Sequence, residues 1–223
     1  MDKQRVTDVA SLRKGAEDFR YLLGRGFPRK NCLDLIGNRY GFKKDERELL
    51  HRGVFAPEDA ARRKEKLFAM EGLEDGNVAV DGYNVIITVE SALRWRPLIA
   101  ADDGLIRDIA GISSAFKIAE VTHKAIHLVM EILSDHRPKR VDFLFDSPIS
   151  RSGRLASLVA DCIGQAGLVG EARAVRVPEK ILIGYRGVVA TSDSAIIDEV
   201  ERVVDVAGQV IRTKIPEARL IKL

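Results

Sequence analysis

Cysteine is almost missing from this sequence: Cys32 and Cys162 are the two present, far apart and without a CxxC spacing. That excludes a disulfide framework and a cysteine-based structural zinc site, and it points to a reducing, cytoplasmic compartment. Long apolar runs are lacking as well. No segment approaches the roughly 18 consecutive apolar residues of a membrane span, and the chain is charged from Asp2 onward, with no apolar core of signal-peptide length. The expectation is a cytoplasmic protein with no membrane partner. GxSxG, Walker A and GxGxxG patterns are absent too, so nothing marks a nucleophile elbow, a P-loop or a dinucleotide fingerprint.

What is present is an ordinary globular composition. The 223 residues are 46% hydrophobic and 31% charged, enough to bury one good core or a core with a small satellite domain. The net charge of +3 hides an asymmetry. Residues 1–70 hold 17 Lys and Arg against 11 Asp and Glu, whereas residues 71–223 hold 19 against 22. A basic leading segment beside an acidic body reads either as a polyanion-binding arm or as a solvated helical surface.

Residues 1–72 read as a basic helical domain. Leu12, Ala16, Phe19, Leu22 and Leu23 recur at helical spacing, and Gly24-Arg25-Gly26-Phe27-Pro28 ends that helix and starts another. A second helix runs through Cys32, Leu33, Leu35 and Ile36 to Gly37-Asn38. Asp45 and Glu48 have capping-box spacing for a third, closed by Gly53. Pro57 to Lys66 reads as a charged connecting helix, and Gly72 to Asn77 as a turn. Such a unit is either a helix-turn-helix or a small packing bundle.

From residue 73 the pattern alternates. Strands are expected at 78–88, 141–146, 172–177, 188–193, 209–214 and 218–223, with helices at 105–134, 154–166 and 195–206. This alternation argues an α/β fold with a mainly parallel sheet in three layers. Three of the strands stop at a carboxylate: Val78-Ala79-Val80-Asp81, Val141-Asp142-Phe143-Leu144-Phe145-Asp146, and Val188-Val189-Ala190-Thr191-Ser192-Asp193. Ligands of open α/β sheets bind outside the carboxyl ends of the strands. Three acids gathered there would crowd negative charge into one crevice, a cost usually tolerated when a hard cation sits among them.

Around the acids lie further candidates. Asn84 follows Asp81 by three residues. Ser147, Ser150, Arg151 and Arg154, ahead of a helix, are phosphate-binding material. Asp198 falls off the apolar stripe Ile196, Ile197, Val200, Val203, Val204 and Ala207, and is expected to turn toward Asp193. Each acid also has a local reading: Asp193 or Ser192 as a helix cap, Asp81 as a turn acid, Asp146 as an Asx turn before Pro148. His123 and His127 stand four apart, but no third ligand accompanies them, and a surface or packing role is expected. Glu90, Asp102, Asp103 and Asp108 are candidates for a further carboxylate.

Asp81-Gly82-Tyr83-Asn84, Phe145-Asp146-Ser147 and Ala190-Thr191-Ser192-Asp193 resemble, in order and spacing across about 78–223, the strand-end motifs of PIN-like nucleases, closest to the NYN branch. The chain with its leading helices also resembles a set of uncharacterised archaeal proteins. The resemblance implies a three-layer PIN-like domain over 73–223 that acts as an endoribonuclease with Mg²⁺ or Mn²⁺. Carried over, Asp81, Asp146, Asp193 and Asp198 are the catalytic and metal-binding acids. Asn84, Ser147, Arg151, Arg154 and Ser192 are substrate-binding, and RNA is the partner. The further acidic motif of that branch is represented here only by Glu179 in Pro178-Glu179-Lys180. A non-catalytic nucleic-acid binder on a degenerate PIN-like domain is the alternative. The last strand, ending at Leu223, is a candidate edge for a homodimer.

Overall fold

The structure, a computed structural model, describes residues 8–109, 116–149 and 151–223. Four helices lead: α1 (Val9–Gly24), α2 (Arg29–Arg39), α3 (Lys44–Gly53) and α4 (Pro57–Glu65). Asp8 caps α1 by accepting from the Ala10 and Ser11 amides. At α3 the capping acid is Glu46, which accepts from the Lys43 amide at 2.8 Å, so the helix begins one residue before Asp45. Leu12, Ala16 and Phe19 of α1 join Cys32 and Ile36 of α2 and Leu49 and Leu50 of α3 in one core. That core also takes in Ile99, from the middle of the chain, and Ile221, from its far end.

The main sheet has the order β5-β4-β1-β6-β7 and is parallel throughout. Its strands are β1 (Asn77–Asp81), β4 (Arg140–Asp146), β5 (Gly170–Val175), β6 (Val188–Ala190) and β7 (Val203–Val204). A second sheet joins β2 (Leu98–Ala100) to β3 (Ile106–Asp108) and to the C-terminal β8 (Leu220–Lys222), an edge strand. Helices α5 (Gly82–Leu93), α6 (Glu120–Asp135), α7 (Ser152–Gln165) and α10 (Val206–Lys214) cover one face of the main sheet, where Val78, Val80, Phe143, Phe145 and Ala190 are buried. Helices α8 (Pro178–Ile183) and α9 (Ser194–Glu199) cover the other, over Ala79, Leu144 and Val189. The result is an α/β body with a helical layer on each face, preceded by the helical region.

The structure corrects four expectations. The run Val85 to Glu90 is helix, not a continuation of the first strand. Asp81 caps it by accepting from the Asn84 amide, and α5 is buried on nearly every side, so its apolar run carries no visible period. The helix expected over 105–134 is β3 followed by α6, with residues 110–115 outside the described residues. The helix expected over 195–206 stops at Glu199, and Val203 and Val204 are strand. The strand expected at 209–214 is helix α10, capped by Asp205 at the Gly208 amide.

Two close approaches lock these layers. A Cβ on Gly82 would lie 2.3 Å from the Phe145 ring, so α5 can start directly against β4 only with glycine there. A Cβ on Gly53 would lie 2.2 Å from Ile99, so glycine lets α3 sit against β2. The segment after α4 runs along the sheet edge: the Phe68 amide donates to the Val203 carbonyl at 2.7 Å, and the Val203 amide to the Lys66 carbonyl at 2.9 Å. Edge strand β7 is thereby covered. Among the described residues no helix is long and apolar enough to cross a membrane.

Candidate functional site

The strand order reverses beside β1: the chain steps outward through β4 and β5, then crosses back to β6 on the other side. Open α/β sheets form their ligand crevice at such a reversal, outside the carboxyl ends. Asp81 pairs in register with Leu144, and Val80 with Ala190. Asp146 therefore lies two residues further along the neighbouring strand than Asp81, roughly 6–7 Å, and Asp193 follows β6 by a similar step. The alternation of the pleat puts Asp81 and Asp146 on the face that α8 covers. Glu179, in the first turn of α8, adds its charge to both.

The hydrogen bonds are specific. Thr191 Oγ1 donates to Asp81 Oδ2 at 3.0 Å and accepts from the Asp193 amide at 3.1 Å. Asn84 Oδ1 accepts from both the amide (2.8 Å) and the hydroxyl (3.0 Å) of Ser192, which ties the β6–α9 turn to the start of α5. On the other side Arg107 Nε donates to the Ser192 carbonyl at 2.7 Å. Asp193 caps α9 through the Ala195 amide at 2.8 Å while remaining exposed.

Burial pushes the Asp81 carboxyl up to about 7; the Thr191 and Asn84 donors oppose this, and the charges of Asp193 and Glu179 add to it. Asp146 is raised by burial and then by Glu179. Tyr83, raised to about 12 by burial and by Asp146, stays protonated. Glu179 repels both Asp81 and Asp146, and Asp193 repels Asp81, which is the electrostatic condition a divalent ion relieves. Their oxygens are suitable hard donors. The geometry is looser than the chemistry: among the described residues no three His, Cys, Asp or Glu side chains converge as a metal-holding group.

Asp198 does not join them. Arg63 holds both its oxygens, Nε to Oδ1 at 2.8 Å and Nη2 to Oδ2 at 2.7 Å, and this hydrogen-bonded pairing keeps the carboxyl below its ordinary value. Because α9 ends at Glu199, the helical stripe expected to aim Asp198 at Asp193 does not exist. Ser147, Arg151 and Arg154 are exposed on the β4–α7 turn and the first turn of α7, with Ser150 outside the described residues. Arg20 takes Asp102 and Arg107 takes Asp103, each by two hydrogen bonds, so neither acid is a spare carboxylate at the strand ends. His123 and His127 are exposed on α6.

Sequence reading misses the other half of the site. A cleft of about 620 Å³ runs from Asn84, Ser192 and Asp193 to the N-terminal helices, where Arg29, Arg52, Phe55, Arg63 and Arg107 line it. The guanidinium carbons of Arg63, Arg29 and Arg107 stand 4.5, 4.9 and 5.1 Å from the centre of the Phe55 ring. The three come from α2, α4 and β3, so no local spacing announces them. An arginine directly after Pro28, with no acid three or four residues away, is the one faint signal.

Residues 70–209 match a family model described as a domain of unknown function, DUF5616, and residues 11–66 match a second, a protein of unknown function, DUF434. The chain belongs to the DUF5616 family. An uncharacterized protein of Methanocaldococcus jannaschii is 32% identical over 203 residues, which span 90% of this chain and 97% of that protein. The helical region and the α/β body therefore occur together in that relative. No solved structure is detectably similar to the chain. Asp81, Asp146, Asp193 and Glu179 all fall inside the DUF5616 match.

Proposed function

We propose that the chain is a metal-dependent nuclease of PIN-like type, an endoribonuclease using Mg²⁺ or Mn²⁺. The observation that carries this reading is the gathering of Asp81, Asp146 and Asp193 at the carboxyl ends of three adjacent parallel strands beside the topological reversal. The DGYN, FDS and ATSD motifs stand at those ends in the order the resemblance requires, and Glu179 supplies the fourth charge.

In this reading Asp81, Asp146 and Asp193 would hold the ion. A divalent ion in such a site lowers the pKa of water and offsets phosphate charge. Asn84 and Ser192 fix the β6–α9 turn, so that Asp193 is presented at one height above Asp81. Arg151, on the exposed turn after Asp146, and Arg154, exposed in the first turn of α7, are available to a neighbouring phosphate. The test is cleavage of single-stranded RNA with Mn²⁺, comparing wild type with Asp193→Asn. Asparagine can still cap α9, so folding should persist while cleavage falls by at least a hundredfold. Equal cleavage by the two proteins would remove Asp193 from the reaction.

A second reading, a non-catalytic nucleic-acid-binding protein, is favoured by one observation: three acid donors do not converge among the described residues. It predicts salt-sensitive RNA binding that chelator leaves unchanged and no cleavage at any metal concentration.

A further inference from the structure

The arginine half of the cleft has a chemistry of its own. We infer that the cleft between the N-terminal helices and the strand ends binds a phosphate monoester, with Arg29, Arg63 and Arg107 receiving the phosphate around Phe55. Its extension to a strand end rests on the nuclease reading; the phosphate site itself does not.

Three guanidiniums packed around one aromatic ring are mutually repulsive. Two have carboxylates behind them: Arg63 has Asp198, and Arg107 has Asp103. Arg29 has none within ion-pair distance among the described residues and instead donates to the carbonyls of His51 and, at 2.8 Å, Val54. Burial, then the charges of Arg63 and Arg107, lower Arg29 to about 10, which leaves it cationic at neutral pH. The cluster thus carries one positive charge with no ion-paired carboxylate among the described residues.

A second observation points to a ligand. Arg63 is 6% exposed, yet its Nη1 lies buried without a hydrogen-bond partner among the described residues; Asp103 Oδ2, at 3.7 Å, is too far to accept. Buried guanidinium N–H groups are rarely left unmade, and Arg63 is itself one of the residues that line the cleft.

Charge and shape select the ligand class. A phosphate monoester has a second pKa of about 6 and carries close to two negative charges at neutral pH, one more than a backbone diester. The forks of Arg63 and Arg107 are engaged by Asp198 and Asp103, so a phosphate oxygen meets their remaining N–H groups and the charge of Arg29 rather than a whole fork. The cleft volume of about 620 Å³ accommodates a nucleotide, and Phe27, exposed on the same wall, offers a face for a base. The acid Asp193 also lines the cleft, so the phosphate is placed toward Arg29 and Arg63, where Asp59 offsets part of their charge.

The test measures binding in EDTA, so that no cleavage intervenes. Fluorescence anisotropy compares one ten-nucleotide RNA carrying a 5′-phosphate, a 3′-phosphate, or hydroxyls at both ends, with adenosine monophosphate as competitor. One phosphorylated strand should bind at least tenfold more tightly than the unphosphorylated strand, the monophosphate should displace it, and Arg29→Gln should bring the ratio within twofold. Equal binding of all three strands with no displacement by the monophosphate would overturn the inference. Binding of the monophosphate without a preference among strands would keep the monoester site and make its source a free nucleotide. Should Arg29→Gln fail to fold, the wild-type strand comparison still decides. Because the strand comparison is made in EDTA, absent cleavage by the wild type with Mn²⁺ would defeat the nuclease reading alone.

Discussion

The carboxylate of Asp198 is the counter-ion of Arg63, which is otherwise buried under Phe55, although its place in the sequence suggests a partner for Asp193. Removing the acid leaves a buried guanidinium with one partner fewer, a loss commonly of a few kcal/mol for buried pairs and smaller where one partner is wet. Asp198 is one-third exposed. Asp198→Asn should therefore destabilise the fold by about 2 kcal/mol, read by urea denaturation at neutral pH. The sign with pH is set by the lowered carboxyl. The pair contributes fully above about pH 4, the ordinary aspartate value, and the contribution is lost as pH falls through the lower folded value. The gap between wild type and variant should close in acid. A gap that widens below pH 4 would mean that Asp198 is not ionised against Arg63.

At the scale of elements, contact between α3 and the small sheet depends on Gly53. A Cβ there meets Ile99, which is fully buried in the same core as Leu49 and Leu50. Gly53→Ala should cost about 2 kcal/mol by overpacking, despite alanine's better helix propensity, and a denaturation midpoint unchanged or raised would contradict this contact. Elements also differ in how far the sequence discloses them. Strands β1, β4 and β6 are legible because each is a short apolar run stopped by an acid or a turn, and their parallel order is implied by alternation with helices. Helix α5 is not legible past Asp81. Burial on nearly all sides removes the 3.6-residue period, and Val85-Ile86-Ile87-Thr88-Val89 has strand-like composition. Helix α10 is short, with Arg212, Thr213 and Lys214 exposed, and the cap at Asp205 is its easily overlooked signal. The acid half of the site is readable because strand ends gather by topology. The arginine half is not, because Arg29, Arg63 and Arg107 meet only through the packing of three separate elements.

At the scale of the whole molecule, the leading helices and the α/β body share a core. Ile99 and Ile221 of the small sheet are buried among Leu12, Phe19 and Leu49, and Arg20 of α1 grips Asp102 at 2.8 Å. Deleting residues 1–66 should expose those isoleucines and leave Asp102, Asp103 and Asp198 without their arginine neighbours from the helices. The truncated chain is expected to melt at a markedly lower temperature and to bind a hydrophobic dye; a melt unchanged from the full chain would show that the helices contribute nothing to the body. The cleft that joins acids to arginines spans this same junction, so the two regions form one working unit in the proposed reading. The most direct test of its central claim is a calorimetric titration of Mn²⁺ into wild type and into Asp193→Asn, in one buffer at one salt concentration. Saturable binding in the wild type that weakens at least tenfold in the variant is predicted. No saturable binding in either protein, or equal binding in both, would leave Asp193 as a helix cap and contradict a metal at the strand ends.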